Sequence, residues 1–180
     1  MQALTKVAQR LDDVNRAIGM SVAWFALFMV LVQFLVVVLR YVFGYGSIFL
    51  QESTIYLHGL LFMLGAGYTL LRGGHVRVDV LYSAAAPKTK AAIDLFGVCC
   101  FLIPVCLTIG WFAFPYTLNS WKILESSNES SGIPAIFILK SSILVFCILM
   151  IMQGVSLAIH SLAILTDTAV DEPDREDADG

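Results

Sequence analysis

The chain has 180 residues, of which 58% are hydrophobic and 14% are charged, and its formal net charge is −3. A soluble domain usually carries about 25% charged residues, so this composition excludes an ordinary soluble domain. No basic patch is present, which excludes a typical nucleic-acid-binding protein.

Residues 1–18 have the pattern of an amphipathic helix. The apolar residues recur at spacings of three and four and are Leu4, Val7, Ala8, Leu11, Val14 and Ile18. Polar residues fill the other face and include Lys6, Asp12, Asp13 and Arg16. We predict an N-terminal amphipathic interfacial helix that lies on the membrane. A helix docked on protein is the alternative that this pattern leaves open.

Four long stretches without Asp, Glu, Lys or Arg follow. A bilayer core about 30 Å thick needs about 20 apolar residues in a helix, and each stretch approaches or exceeds that length. We predict an all-α integral membrane protein with a membrane domain over residues 19–165. Its four transmembrane helices are predicted at residues 19–43, 48–71, 91–121 and 134–165.

Polar segments connect the predicted helices. They are an elbow at residues 72–90, a loop at 122–133 and an acidic tail at 166–180, whose composition predicts disorder. Most Lys and Arg residues fall on the side that holds the elbow and both termini. The excess of positive charge on cytoplasmic loops therefore predicts that both termini are cytoplasmic and that the loop at 122–133 is periplasmic.

No residue pattern indicates catalysis, a cofactor or a metal site. The four cysteines, Cys99, Cys100, Cys106 and Cys147, all lie in apolar stretches, and none has the spacing of a metal site. Phosphate loops, dinucleotide fingerprints and metalloprotease motifs are absent from the sequence. We predict that the chain is not an enzyme.

Glu52 is the most notable carboxylate because it follows Gln51 one turn into the second predicted helix. A helix N-terminus favours negative charge, so we interpret Glu52 as an outer-interface residue that can contact a partner subunit. A proton-carrying role in an autonomous exporter is the alternative.

His58 and His160 invite a haem interpretation, since a histidine pair across a helix bundle can hold iron. Their depths argue against it. At 1.5 Å per residue, His58 lies about 12 Å from the outer end of its helix and His160 about 39 Å from the start of its own. His58 is more simply a polar residue inside a bundle or subunit contact, and His160 an inner-interface residue.

The elbow carries a distinctive alternation of polar residues and valines after Arg72. His75, Arg77 and Asp79 would share one face of an extended segment. A catalytic His–Asp pair lacks a nucleophile in a recognisable motif, so we predict an ordered elbow held by an Arg–Asp pair and lipid phosphates. At the other end, Trp121 is predicted to anchor the third helix in the interface.

Several segments together resemble the small membrane subunit of the tripartite ATP-independent periplasmic (TRAP) transporters. The matching stretches are residues 39–44 (LRYVFG), 51–52 (QE), 64–70 (LGAGYTL), 74–81 (GHVRVDVL), 120–121 (SW), 125–126 (ES), 132–134 (GIP) and Gln153. The resemblance covers about residues 10–165, and the elbow is its most specific part. Ala86 and Ala135 stand where family members often carry a leucine and a bulkier residue, respectively.

The resemblance implies a set of partners in the bacterial inner membrane and periplasm. A periplasmic binding protein would deliver an organic acid to a large membrane subunit, which moves it inward, usually with sodium, by an elevator motion. The small subunit would support the static scaffold and hold neither substrate nor sodium. The cargo leans towards a 2-oxo acid, lactate or a related carboxylate.

The candidate contacts with the large subunit or with membrane phospholipids are polar and aromatic residues near the helix ends and in the elbow. They are Arg40, Gln51, Glu52, His58, Arg72, His75, Arg77, Asp79, Trp121 and Glu125. Two other functions remain as alternatives at this point: an autonomous proton-coupled exporter and a haem- or quinone-binding anchor subunit.

Overall fold

A computed structural model describes residues 2–75, 82 and 85–166. The helices are α1 (Gln2–Val42), α2 (Ile48–Leu71), α3 (Pro87–Gly97), α4 (Ile103–Lys122) and α5 (Ile136–Leu165). A π-helical turn, Val98–Leu102, joins α3 to α4, so that Pro87–Lys122 forms one long helix. Four helices are long and apolar enough to cross a membrane, and the described residues contain no strand. The predicted all-α class with four membrane helices is confirmed.

Helix α1 differs from the prediction, because the expected interfacial helix and the first membrane helix form one rod. It has 41 residues and is therefore about 62 Å long. The segment 2–18 docks on protein, with buried Ala8, Asp12 and Asn15 continuing into buried Gly19 and Val22. This stripe has alternating spacings of four and three residues, the periodicity of one helix face. Leu4, Val7 and Val14 on the apolar face are exposed, so the predicted contact of this face with the membrane interface stays a prediction.

Short turns with special backbone geometry bound α2. Gly44 before it and Gly73 after it have positive φ angles of 67° and 66°, a conformation that costs glycine little. Ser47 caps the N-terminus by accepting a hydrogen bond from the Leu50 N–H at 3.4 Å. The chain can therefore reverse direction within a few residues and lay α2 antiparallel along α1.

The π-helical turn between α3 and α4 lies directly before Pro104. Proline has no N–H, and its ring clashes with the carbonyl four residues earlier, here that of Cys100. A π turn is a common way to accommodate a change in the helical hydrogen-bond ladder. The five π-helical residues thus lie just upstream of Pro104.

Helix α5 is the centre of the molecule. It packs against α1, α2, α3 and α4. In its most apolar window 39% of the residues are buried, against 6% to 11% in the other membrane helices. The buried core consists of Cys106 from α4 with Cys147 and Met150 from α5. The other helices surround α5 and turn large apolar side chains outward, among them Trp24, Phe34, Phe101 and Phe112.

Candidate functional site

Polar side chains gather at two opposite ends of the helices. We call the end that carries residues 123–135 the loop end, and the end where α1 begins and α5 finishes the termini end. Between these ends the outward surface is mostly apolar, as expected where helices face lipid or other helices. The two ends therefore hold the polar chemistry that the described residues offer.

At the loop end, Glu52 fastens the loop to α2. Its carboxylate accepts a short hydrogen bond from the Ser127 hydroxyl and another from the Ile133 N–H at 2.6 Å. Gly132 lies so close that an added Cβ would meet both Ser127 and Glu52. Glu52 therefore lies near the N-terminus of α2, and the contacts that the structure shows for it are within the chain.

A second group at the loop end joins α4, the loop and α5. The Lys140 ammonium lies 2.5 Å from the Glu125 carboxylate and 4.0 Å from the centroid of the Tyr116 ring. The hydrogen bond from Lys140 lowers the pKa of Glu125 below its ordinary value. Lys140 thus reaches from the membrane helix to the loop and ends in an ion pair there.

Trp121 completes the loop end. Its indole N–H donates to the Ser141 hydroxyl at 2.8 Å, and its ring packs edge-on against Phe137 with centroids 4.6 Å apart. Because the ring is still about half exposed, it can pack on α5 and face the interface at once.

Three of the candidate contact residues point outward. Arg40 in the last turn of α1, Gln51 in the first turn of α2 and His58 further along α2 are exposed. His58 stacks on Phe62, with ring centroids 6.5 Å apart. These side chains are placed to meet lipid or another protein.

At the termini end, Arg72 and His75 follow α2. The Arg72 Nε–H donates to the Tyr68 hydroxyl at 3.1 Å, and its guanidinium lies 5.6 Å from the Tyr68 ring centroid. His75 is exposed and lines a groove between α1 and α2. Arg77 and Asp79 lie outside the described residues, so the Arg–Asp pair of the elbow stays a prediction.

A buried polar cluster, which the sequence did not predict, lies at the termini end. Asp12 is its centre: Oδ1 accepts hydrogen bonds from Gln153 Nε2 at 2.9 Å and the Ser156 hydroxyl at 2.5 Å. Oδ2 lies 3.1 Å from Nε2 of His160. Asn15 adds a hydrogen bond from its amide to Gln153 Oε1 at 3.0 Å. We call these five residues the Asp12 cluster.

The Asp12 cluster joins α1 to α5 through residues far apart in the chain. Asp12 and Gln153 are separated by 141 positions, so no local pattern indicates the pairing. One signal was present: Gln153, Ser156 and His160 recur at spacings of three and four in an otherwise apolar helix. Such a polar stripe indicates a helix contact, because polar groups in a membrane helix turn away from lipid. His160 is therefore the partner of Asp12, where the sequence suggested a simple interface residue.

Outside these clusters the surface has grooves with mostly apolar walls. Three of them have volumes of about 810, 670 and 530 Å³. Within the described ranges, His, Cys, Asp and Glu nowhere form a group of three or more that could hold a metal ion. The arrangement is suited to holding helices together and to presenting apolar faces.

Comparison with known proteins identifies the family. The model of "Tripartite ATP-independent periplasmic transporters, DctQ component" matches residues 29–163. A relative from Vibrio cholerae serotype O1, named "C4-dicarboxylate TRAP transporter small permease protein DctQ", is 28% identical over 122 residues. Those residues are 65% of this chain and 51% of the relative.

The chain thus spans about half the length of the curated relative that it matches. No solved structure matches it. The family match covers more than half of the chain and includes the last part of α1 and nearly all of α5. With four apolar helices, the chain is a multi-pass protein of the bacterial inner membrane. It belongs to the family of DctQ components, the small permease subunits of the TRAP transporters.

Proposed function

We propose that the chain is a non-catalytic small membrane subunit that supports the static scaffold of a large elevator-type TRAP subunit. In this role it assists the sodium-coupled uptake of an organic acid that a periplasmic binding protein delivers. The C4-dicarboxylate in the name of the Vibrio cholerae relative belongs to the same broad class of cargo. One observation carries the proposal: the clustered polar groups at both helix ends bind one another, while apolar faces remain turned outward.

A scaffold must resist the force that a moving domain exerts on it. The Asp12 cluster ties α1 to α5 at the termini end, and Glu52 and Lys140 tie α2, α4, α5 and the loop together at the loop end. Connections at both ends oppose sliding and splaying of the helices. The partly exposed apolar residues of α1 and α4 supply area for packing against a larger subunit.

Reconstitution tests the proposal directly. Proteoliposomes would contain the large subunit alone, this chain alone, or both, with binding protein and radiolabelled acid outside. We expect uptake only with both membrane subunits, and we expect it to fall when choline replaces external sodium. Full uptake by the large subunit alone would contradict the proposed support.

A second measurement separates the alternatives. Transport by this chain alone, driven by a proton gradient, would indicate an autonomous exporter. Absorbance of a bound haem in the purified chain would indicate an anchor subunit of a respiratory enzyme. Either result would overturn the proposed function, whereas co-purification with the large subunit and no pigment would support it.

A further inference from the structure

One face of α2 is left uncovered by the helices that pack on it. Its exposed side chains recur at spacings of three, four and seven residues, the repeat of a single helix face. They are Gln51, Ile55, His58, Phe62 and Thr69, and we call them the α2 stripe. The apolar members are largely open, with Ile55 60% and Phe62 68% exposed. The stripe therefore runs along α2 from the loop end to the termini end, outside its contacts with α1 and α5.

The middle of the α2 stripe carries a polar ring at a depth that lipid chains occupy. His58 lies about 15 Å from Ile48 at one end of α2 and about 20 Å from Leu71 at the other. Among the described residues, neither His58 nor Gln51 makes a side-chain hydrogen bond. A neutral imidazole has one donor and one acceptor nitrogen, and lipid chains can satisfy neither. Because polar groups in membrane helices face other helices or water, His58 indicates that this face is covered by protein.

A groove continues the α2 stripe towards the termini end. It lies between α1 and α2, has a volume of about 530 Å³, and is lined by Ala23 and Gly65 together with Phe62 and Thr69 of the stripe. Gly65 has free space beside it, because the nearest atom to an added Cβ is 3.9 Å away. Small residues let a second membrane helix approach closely. The groove can therefore accept bulky side chains from a helix that lies along α2.

We propose that the α2 stripe and this groove form the docking surface for one membrane helix of the large transporter subunit. That helix carries a hydrogen-bonding side chain level with His58 and a bulky apolar side chain level with Gly65. The first satisfies the imidazole, and the second fills the groove. The inference rests on the proposed function and deepens it, because it names the face on which the large subunit packs.

The chemistry of this face disfavours its other two coverings. Lipid chains fill a groove, but they offer His58 no hydrogen bond. A second copy in the same membrane orientation would meet the first across a two-fold axis, which places residues of equal depth opposite each other. The groove at Gly65 would then face the same groove in the second copy, with no bulky side chain to fill it. A helix of different sequence meets both requirements.

Photo-crosslinking identifies the partner of the α2 stripe. The photoreactive residue p-benzoyl-phenylalanine replaces Phe62 in the full chain, which is co-expressed with the large subunit. The control carries it in place of Phe112, which is 72% exposed on α4. We expect position 62 to cross-link to the large subunit several-fold more efficiently than position 112. Equal yields, or a product with lipid or a second copy of this chain instead, would overturn the proposal.

A leucine at position 58 tests the hydrogen bond. We expect His58→Leu to weaken binding to the large subunit in detergent about three- to tenfold, the factor that one hydrogen bond between membrane helices supplies. Thermal unfolding of the isolated chain should not change, because the contact of His58 within the chain is its stack on Phe62. The control is Thr108→Val, which removes an exposed hydroxyl that bonds to its own helix at Pro104. Binding that responds equally to both variants would contradict the role of His58.

A larger side chain tests the groove. Ala23→Leu adds bulk to the groove wall on α1, and we expect it to weaken binding to the large subunit about tenfold. Ala23 is exposed, so the isolated chain should unfold at an unchanged temperature. Ser21→Leu is the matched control, because it adds the same side chain at an exposed position of α1 outside the groove. Equal affinities of the two variants would overturn the docking surface.

The unaltered chain separates failure of this inference from failure of the proposed function. If it binds the large subunit and the His58 and Ala23 variants bind equally well, the docking surface is wrong and the proposed function stands. If the unaltered chain does not bind the large subunit, both are overturned.

Discussion

Asp12 is the most strongly supported carboxylate in the described part of the molecule. Its side chain is 5% exposed, and it faces donors from three residues of α5. In the membrane, an isolated charge at such a position would be costly, so its partners are what make it tolerable. Replacing Asp12 with a residue that cannot accept hydrogen bonds would leave Gln153, Ser156 and His160 without this acceptor.

We therefore expect Asp12→Ala to lower the free energy of unfolding by about 2–5 kcal/mol, because Gln153 and Ser156 lose their acceptor and an unsatisfied buried donor costs about 1–3 kcal/mol. The adjacent Asp13→Ala is the control, because Asp13 is exposed and should change stability by no more than about 0.5 kcal/mol. Thermal unfolding of the purified chain in detergent measures both. Equal melting temperatures for the two variants would contradict the assigned role of Asp12.

Glu52 gives a second prediction at the same scale, because its carboxylate holds the loop through Ser127 and Ile133. Glu52→Gln keeps the shape but removes the charge, so the loop at 123–135 should be cleaved several-fold faster by added protease. Glu129→Gln is the control within the loop, since Glu129 is exposed and makes its contact to Ser127 through its backbone N–H. Equal cleavage of the two variants would contradict the role of the Glu52 carboxylate in holding the loop.

The ion pair of Glu125 and Lys140 predicts a pH dependence. The pKa of Glu125 is lowered from the ordinary 4.5 by the hydrogen bond from Lys140. A carboxyl group with a lowered pKa stabilises the fold above its ordinary pKa, and this contribution disappears as pH falls through the lowered value. We expect the stability lost by Glu125→Gln, measured by thermal unfolding, to be full at pH 7 and to shrink below about pH 4.5. A difference that is constant with pH would contradict this linkage.

At the residue scale, the sequence pointed to polar and aromatic positions near the helix ends but not to the partners that these side chains contact within the chain. Glu52, Trp121 and Glu125 were chosen because they flank apolar stretches, and all three lie at the loop end. Their contacts to Ser127, Ser141 and Lys140 depend on how the helices and loop pack, which charge and hydropathy patterns do not encode. The burial of Asp12 was not predicted, because the residue lies on the polar face of the amphipathic pattern.

At the scale of elements, charge-free stretches were sufficient to find the membrane helices. They were not sufficient to show that α1 continues unbroken through Gly19. Amphipathicity predicts which face is apolar, but a membrane protein can bury small and polar residues and expose apolar ones. In segment 2–18, Ala8 and Asp12 are buried while Leu4 is half exposed. The apolar period therefore did not predict the protein contact of Ala8 and Asp12, and the membrane contact of the exposed apolar residues stays a prediction.

Two glycines on α2 test how closely it packs against α1 and α5. An added Cβ at Gly67 would collide with the Asn15 side chain and lie 3.3 Å from Leu149, whereas at Gly65 the nearest atom is 3.9 Å away. We expect Gly67→Ala to destabilise the chain by about 1–3 kcal/mol through overpacking. Gly65→Ala should be neutral or stabilising by up to about 1 kcal/mol, because alanine favours a helix. Thermal unfolding that ranks the two variants in the opposite order would contradict this packing.

At the scale of the whole molecule, the described helices are held together differently at their ends and in their middle. The Asp12 cluster and the loop end use charged and polar contacts, while the middle has the small core around Cys106, Cys147 and Met150. Such an arrangement leaves wide apolar faces for lipid or for a second subunit. The composition predicted the all-α membrane class. The central position of α5 follows only from the helix contacts in the structure.

That central position sets how the molecule can vary. An outward residue of α1 or α4 contacts only lipid or one neighbouring helix. Other apolar side chains can therefore replace such a residue. Helix α5 touches every other helix, and a larger side chain would collide with Leu102 of the long helix at Gly154 and with α1 at Ser156. A saturation mutagenesis map would therefore be uneven, with intolerant positions crowded into the last membrane helix and substitutions accepted freely along the first.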